Sequence, residues 1–297
     1  MQNRHYDVVQ LEGLYLCPYI QTIRTYSRAK IALRSHNIES EIWRRSAQKE
    51  KNILKKIYKQ NLSKRIDKFE HRFLNVYDML LPITQIDAEK FKQMGATVPM
   101  QVVPTGIDMD NPLFEIDNQR IKYPTLFYIG ALDWRPNQEG LVWFVQKIWL
   151  KFKKQHPELV FTVAGRNAPK HFVNFLKRNK INYIGEIDNA IDLYKQQAIQ
   201  VVPIFSGSGM RIKILEGMAA GKAIVTTSIG TEGIASEHKK NILIADKAED
   251  FYNCLEKLYA QKTIFLQLSE NARTFVKNNF DNDEIAKTVL NFYEKQI

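Results

Sequence analysis

The sequence predicts an α/β protein of two domains, each built on a parallel sheet covered by helices. Short apolar runs of strand character alternate with helical stretches along most of the chain. Glycines recur where those runs end, at Gly130, Gly165, Gly185 and Gly207–Gly209, and ligands of such sheets sit at the carboxyl ends of the strands. The 297 residues, 44% apolar and 25% charged, suffice for two globular cores of ordinary size.

The first domain is expected over 1–110. It opens on a strand, Tyr6–Leu11, that ends at Glu12 and Gly13, and a helix follows through Tyr19–Tyr26. Lys30–Arg34 is a second strand, ending at Ser35, His36 and Asn37, and a long basic helix then runs to about Tyr77. Met79–Thr84 is the third strand, Asp87–Gly95 a helix, and Gln101–Pro104 a fourth strand. The polar stretch 111–124, with its two prolines, reads as an interdomain linker.

The second domain, 125–280, restarts the alternation. Strands are expected at Thr125–Ile129, Val160–Ala164, Asn182–Ile184, Gln200–Pro203, Ala223–Thr227 and Ile242–Ile244. Helices are expected at Asn137–Gln155, Pro169–Arg178, Ile187–Gln197, Met210–Ala220, Ala248–Ala260 and Phe265–Asn278. A last helix within 281–297 is expected to pack back toward the first domain.

The net charge of +11 sits in one segment: Arg24–Arg72 holds fifteen Lys/Arg against five Asp/Glu, and the rest is nearly balanced. Within it Ile53, Ile57, Leu62, Ile66, Phe69 and Phe73 follow helical spacing. Such a helix either packs on its own domain and solvates its basic face, or lays residues 44–72 on anionic lipid. Nucleic acid is not expected, since no recognisable module interleaves stacking aromatics with this charge. No apolar run is long enough to span a bilayer, and the start lacks a signal-peptide pattern. Cys17 and Cys254 lie far apart without a metal-ligand pattern, so reduced thiols in a cytoplasmic protein, peripheral at the membrane's inner face in the lipid reading, are the expectation.

The stretch Val201–Ile234 carries the chemistry. It reads as buried strand, glycine-rich loop, basic helix start and second strand. Gly207 and Gly209 let the backbone approach an anion, and the N–H groups opening the next helix point at it. Arg211 and Lys213 place two cations in the first turns, where the helix dipole disfavours them unless an anion is present. Glu216 shares the face of Lys213 one turn deeper, and a carboxylate beside a phosphate site suits a sugar diol. The residues describe a nucleotide-sugar pocket.

At this point the run SGSGMRIKILEGMAAGKAIVTT with GTEGI resembles the donor-site signature of family 4 (group 1) glycosyltransferases, which have the GT-B fold of two Rossmann-like domains. VVPTGID, FYIGALDWRPNQEGLVWF, FTVAGRNA, LRSHNIESEIWRR and ENARTFVKNNFDNDEIA resemble further segments of one bacterial branch of that family. The resemblance implies retaining transfer of a sugar from a nucleotide-diphosphate donor to the hydroxyl of a carbohydrate or lipid-linked acceptor, with no cofactor and no metal. Cell-surface polysaccharide or glycolipid assembly is the setting it implies.

By position, Glu216 holds the donor ribose, and Gly207, Ser208, Gly209 and Met210 offer N–H groups to the diphosphate or sugar. Lys213 stabilises the departing diphosphate, and Gly165, Arg166, Gly185 and Glu186 lie near the nucleotide. Three positions depart from the pattern. Ser208 stands where the family has the first of two glutamates. Ala131 follows Gly130 where an arginine is usual, and Arg135, Arg211 and Lys213 are expected to replace its charge. Gln10-Leu11-Glu12 stands for a His-x-His strand end. Glu12 either faces the sugar there or is a solvated strand end. His36, Asn37 and Glu39 either touch sugar or acceptor, or cap the next helix and pair locally. The opening units of the first domain are expected to be missing, and the alternative function is a donor-binding half that works with a partner chain.

Overall fold

The computed structural model describes residues 5–207 and 209–297. By internal contacts the chain divides into two units: Met1–Gly106 with Ser206–Met210 and Asn282–Ile297, and Ile107–Phe205 with Arg211–Asp281.

In the first unit β1 (Val8–Glu12), β2 (Lys30–Ser35) and β3 (Met79–Pro82) form a parallel sheet in the order β1-β2-β3. Strand alternation sorts its side chains onto two faces. Leu11, Ile31, Leu33 and Leu80 pack with Ile20 and Ile23 of α1 (Ile20–Tyr26) and with Leu74, Tyr77 and Phe91. Ala32, Met79 and Leu81 face the other way, where Ile285, Val289 and Phe292 of the helix Asn282–Glu294 cover them at helical spacing.

Two expectations change here. Gln101–Pro104 is an extended segment beside β3 and not a strand. Leu80 N–H donates to the Pro99 carbonyl, Gln101 N–H to Leu80, and Val103 N–H to Pro82. The bond that would join these into a ladder needs an N–H at Pro82, and proline has none. The long basic helix is two helices, α2 (Glu39–Lys49) and α3 (Ile53–Phe73). At the break the Glu50 carboxylate accepts from the N–H groups of Lys51 and Asn52 at 3.1 and 3.3 Å. Asn52 then caps α3, accepting from Lys55 N–H at 3.1 Å. The stripe of apolar residues lies wholly on α3, so its periodicity is kept and only the start moves. Below them β3 leads to α4 (Gln85–Gln93), capped by Thr84, whose hydroxyl accepts from Asp87 N–H at 3.0 Å.

The second unit holds β4 (Leu126–Ile129), α5 (Arg135–Phe144), a π-helical turn (Val145–Trp149) continuing into α6 (Leu150–Gln155), β5 (Phe161–Ala164), α7 (Lys170–Arg178) and β6 (Asn182–Gly185). It continues with α8 (Ala190–Gln196), β7 (Ile199–Val202), α9 (Ile212–Ala219), β8 (Ala223–Thr226), β9 (Leu243–Ile244), α10 (Ala248–Ala260) and α11 (Lys262–Asn279). The remaining helix, in the first unit, is α12 (Asn282–Glu294). The six strands are parallel in the order β6-β5-β4-β7-β8-β9. The order reverses beside β4, which makes the carboxyl ends of β4 and β7 the switch point of a doubly wound sheet. β5, β7 and β8 are buried along their whole lengths, as strands covered on both faces must be. Each unit thus carries one parallel sheet, as two Rossmann-like units require.

The stretch 111–124, expected as a linker, packs into this unit: Leu113, Ile116, Asn118 and Ile121 are buried. Asn118 donates to the carbonyl of Ala220 and to Ser269 Oγ, and accepts from the enclosed amine of Lys222 at 2.5 Å. Arg273 hydrogen-bonds the carbonyls of Ile116, Ala219 and Ala220. The stretch is thereby strapped to the carboxyl end of α9. Composition misread it because its buried side chains are spaced singly among polar ones.

Candidate functional site

The switch point brings Gly130, at the end of β4, beside Lys213, in the first turn of α9. Lys213 as a residue is half-buried, but its amine is enclosed. Nζ donates to Tyr128 Oη at 2.8 Å and Asn137 Oδ1 at 3.0 Å, 4.6 Å from the centre of the Tyr128 ring. A Cβ on Gly130 would collide with Nζ where the amine now rests. Burial, then repulsion from Arg211, lowers the Lys213 pKa to about 7, against the pull of Glu216. Burial raises the Glu216 carboxyl, and Lys213 opposes that. A cation and a carboxylate of such sensitive charge, one turn apart at a switch point, can meet a phosphate and a diol.

Gln200, fully buried in β7, donates to the Lys213 carbonyl at 3.1 Å and holds the first turn of α9 on the sheet. Arg211, the residue preceding α9, is buried with its guanidinium 5.8 Å over the Trp134 ring. Arg135 opens α5 at the surface and binds Glu139 at 2.7 Å, so its charge is offset by a carboxylate one turn on. Gly165 follows β5. Its N–H donates to the Gly185 carbonyl at 2.8 Å, and a Cβ there would strike the carbonyl oxygen of Gly130. Arg166 and Glu186 are exposed, and the Arg166 carbonyl accepts from Leu132 N–H at 2.9 Å.

Gly207, Gly209 and Met210 group with the first unit by their contacts, and Ser208 lies outside the described residues. Gly207 and Gly209 have φ of 119° and 73°, in the region that glycine favours. The Gly207 carbonyl accepts from Arg45 Nη1 at 2.8 Å, and a Cβ on Gly209 would crowd Asn37 Oδ1. In the same unit His36 Nε2 lies 2.7 Å from Glu12 Oε2, joining two sequence-predicted residues at the carboxyl ends of β1 and β2. Neither His36 nor Asn37 caps α2. Glu70 of α3 does so, accepting from the N–H groups of Glu39 and Ser40 at 2.7 and 3.3 Å. The capping alternative therefore falls to a residue 31 positions away from Glu39.

Sequence reasoning missed Tyr128, Asn137, Arg45 and Glu70. Tyr128 and Asn137 stood within the resembling run FYIGALDWRPNQEG, but a tyrosine in a buried strand and an asparagine at a helix start carry no charge to mark them.

Residues 123–261 match the family model described as glycosyl transferases group 1. Among curated proteins the chain is 26% identical over 302 residues to a 44.6 kDa protein of the cps region of Klebsiella pneumoniae, covering 97% of this chain and 74% of that one. It is 23% identical to a glycosyltransferase of Methanocaldococcus jannaschii, covering 84% of this chain and 62% of that one. Among solved structures it resembles sucrose-phosphate synthase of Thermosynechococcus elongatus at a TM-score of 0.74 and 15% identity, over 98% of this chain and 73% of that one. It also resembles Anabaena HepE in complex with UDP, at 0.71 and 15%, over 98% and 79%. The family-model match and the Methanocaldococcus relative support a glycosyltransferase, and the solved structures share the fold.

Proposed function

We propose that this chain binds a nucleotide-diphosphate sugar and transfers its hexosyl group, with retention, to the hydroxyl of a carbohydrate or lipid-linked acceptor in cell-surface polysaccharide or glycolipid assembly. The observation that carries the reading is the Lys213 amine held at the switch point, one turn from Glu216. HepE's complex with UDP and the cps-region relative support the donor class and the setting. Lys213 meets the diphosphate and Glu216 the ribose. The acceptor oxygen attacks the anomeric carbon on the face from which the diphosphate leaves. As the C–O bond to phosphate breaks and the new one forms, the leaving phosphate takes the acceptor's proton. Lys213 stabilises the charge developing at that phosphate, and losing one such donor typically costs about 10²–10³ in rate. Within the second unit, Gly130, Gly165 and Arg166 line the nucleotide beside Lys213 and Glu216. Calorimetry of the purified chain with UDP, GDP and their hexose esters tests the assignment. Binding should be lost in Lys213→Ala and weakened at least tenfold in Glu216→Ala. Unchanged affinity in Glu216→Ala would remove that residue from the site.

The start of α3 supports an anionic lipid surface as a further partner. Ile53, Leu54, Ile57 and Tyr58 are exposed there among Lys51, Lys55 and Lys56, while Ser63 and Glu70 of the same helix are buried. Apolar insertion and charge complementarity to anionic headgroups then act together at the exposed start of this helix.

A further inference from the structure

Lys213 is seated on two uncharged groups. Its amine donates to Tyr128 Oη and Asn137 Oδ1. Burial pushes the Tyr128 hydroxyl well above its ordinary value, so it does not become the missing anion. Asn137 is itself oriented, since its amide donates to the Ala131 carbonyl at 2.7 Å and leaves the oxygen for the lysine. Gly130 leaves room for the amine on the side where a Cβ would strike it. The charges around the seat are few. On α9 Arg211 opposes the ammonium and Glu216 favours it. On α5 Arg135 is engaged by Glu139 at the surface. On α8 Tyr194 is kept neutral by burial and by the charge of Glu216. The seat aims the amine and supplies no full charge to hold its proton.

We propose that Tyr128 and Asn137 are positioning residues that aim the Lys213 amine without supplying a counter-charge, so that a bound nucleoside diphosphate supplies it and the amine takes up a proton. This deepens the donor-site reading and rests on it. The balance is simple: one N–H bond forms on Lys213 with a proton from solvent, the diphosphate supplies the compensating negative charge, and no other bond changes. The direction agrees with the lowered Lys213 pKa, which burial and then Arg211 cause. A site of this kind presents its full cation only when the anion is in place, and the departing diphosphate meets it at full strength.

The test is calorimetry of the whole chain with UDP and GDP at pH 8, in buffers that differ in ionisation heat. The nucleotide phosphates are ionised at that pH, so any uptake belongs to the protein. The unsubstituted chain should take up close to about one proton per bound nucleotide, and progressively less as pH falls toward 6. Asn137→Asp sets a carboxylate against the amine and holds it charged beforehand. Uptake at pH 8 should then fall several-fold while nucleotide still binds. Tyr128→Phe removes a hydroxyl acceptor and should move the pH midpoint of uptake downward, opposite to Asn137→Asp. A merely structural role would weaken binding in both variants and leave the midpoint in place, which overturns the proposal. If Asn137→Asp does not fold, the unsubstituted chain and Tyr128→Phe decide it. Nucleotide binding without buffer dependence overturns the proposal and leaves the donor site standing. No binding of UDP or GDP by the folded chain overturns both.

Discussion

The buried amine of Lys222 makes stability of the second unit depend on pH. Lys222 is fully enclosed, and its amine donates to Asn118 Oδ1. Burial first, and the charge of Arg273 second, bring its pKa from 10.5 to about 7. Between those values the unfolded chain binds more protons than the folded one, so stability rises with pH across that window. The cost of the buried ammonium is complete below about pH 7, and the gap from 10.5 to 7 corresponds to roughly 5 kcal/mol. Lys222→Met keeps the apolar stem and removes the titration. It also leaves Asn118 Oδ1 without its donor, at about 1–3 kcal/mol. The variant should therefore be more stable than the parent at pH 6.5, and its advantage should shrink by about 2 kcal/mol between pH 7 and pH 9. Urea unfolding of both proteins across that range measures the difference directly. Lys213 titrates in the same region but is present in both, so its contribution cancels. A stability difference that stays flat from pH 7 to pH 9 would refute the argument.

Gly165→Ala should cost stability before it costs chemistry, because its Cβ would meet the Gly130 carbonyl, a backbone atom that cannot swing aside. A loss of about 1–3 kcal/mol in denaturant unfolding is expected, and an unchanged midpoint would show that β4 and β5 can separate at that point. On α3, Leu54→Glu with Ile57→Glu changes exposed positions and should leave the thermal midpoint alone while abolishing co-sedimentation with anionic vesicles. Equal binding to neutral and anionic vesicles by the parent protein would count against a lipid surface there.

The second unit was legible because its signals are local. The apolar runs Thr125–Ile129 and Val160–Ala164, each followed directly by a glycine, mark strands of a covered parallel sheet. The first unit was less so, and Pro82 shows why: the strand at Gln101–Pro104 has the right composition, but the missing donor sits on its neighbour. The break between α2 and α3 was written in Glu50 and Asn52, polar residues that a periodicity argument passes over. At the switch point the charged residues stood out in the sequence, whereas Tyr128 and Asn137, which hold the Lys213 amine, did not. The cap of α2 by Glu70 depends on how α3 folds back, and no local pattern encodes that.

In the proposed donor site, Ala131 in the place of an arginine changes more than the number of charges. An arginine stays protonated wherever it is put, and an exposed one facing a diphosphate attracts anions in general. Arg135 does not restore that charge simply, since Glu139 lies 2.7 Å from its Nε. The cation nearest the strand end is then Lys213, whose charge depends on what surrounds it. Without an anion its amine rests on Tyr128 and Asn137, where burial works against the proton. Diphosphate reverses that balance. A site built this way should discriminate by charge density at one point more than by long-range attraction, so nucleoside diphosphates should outcompete monophosphates more strongly as pH rises from 6 to 8. Equal loss of affinity for both classes across that range would place the discriminating charge on Arg211 instead.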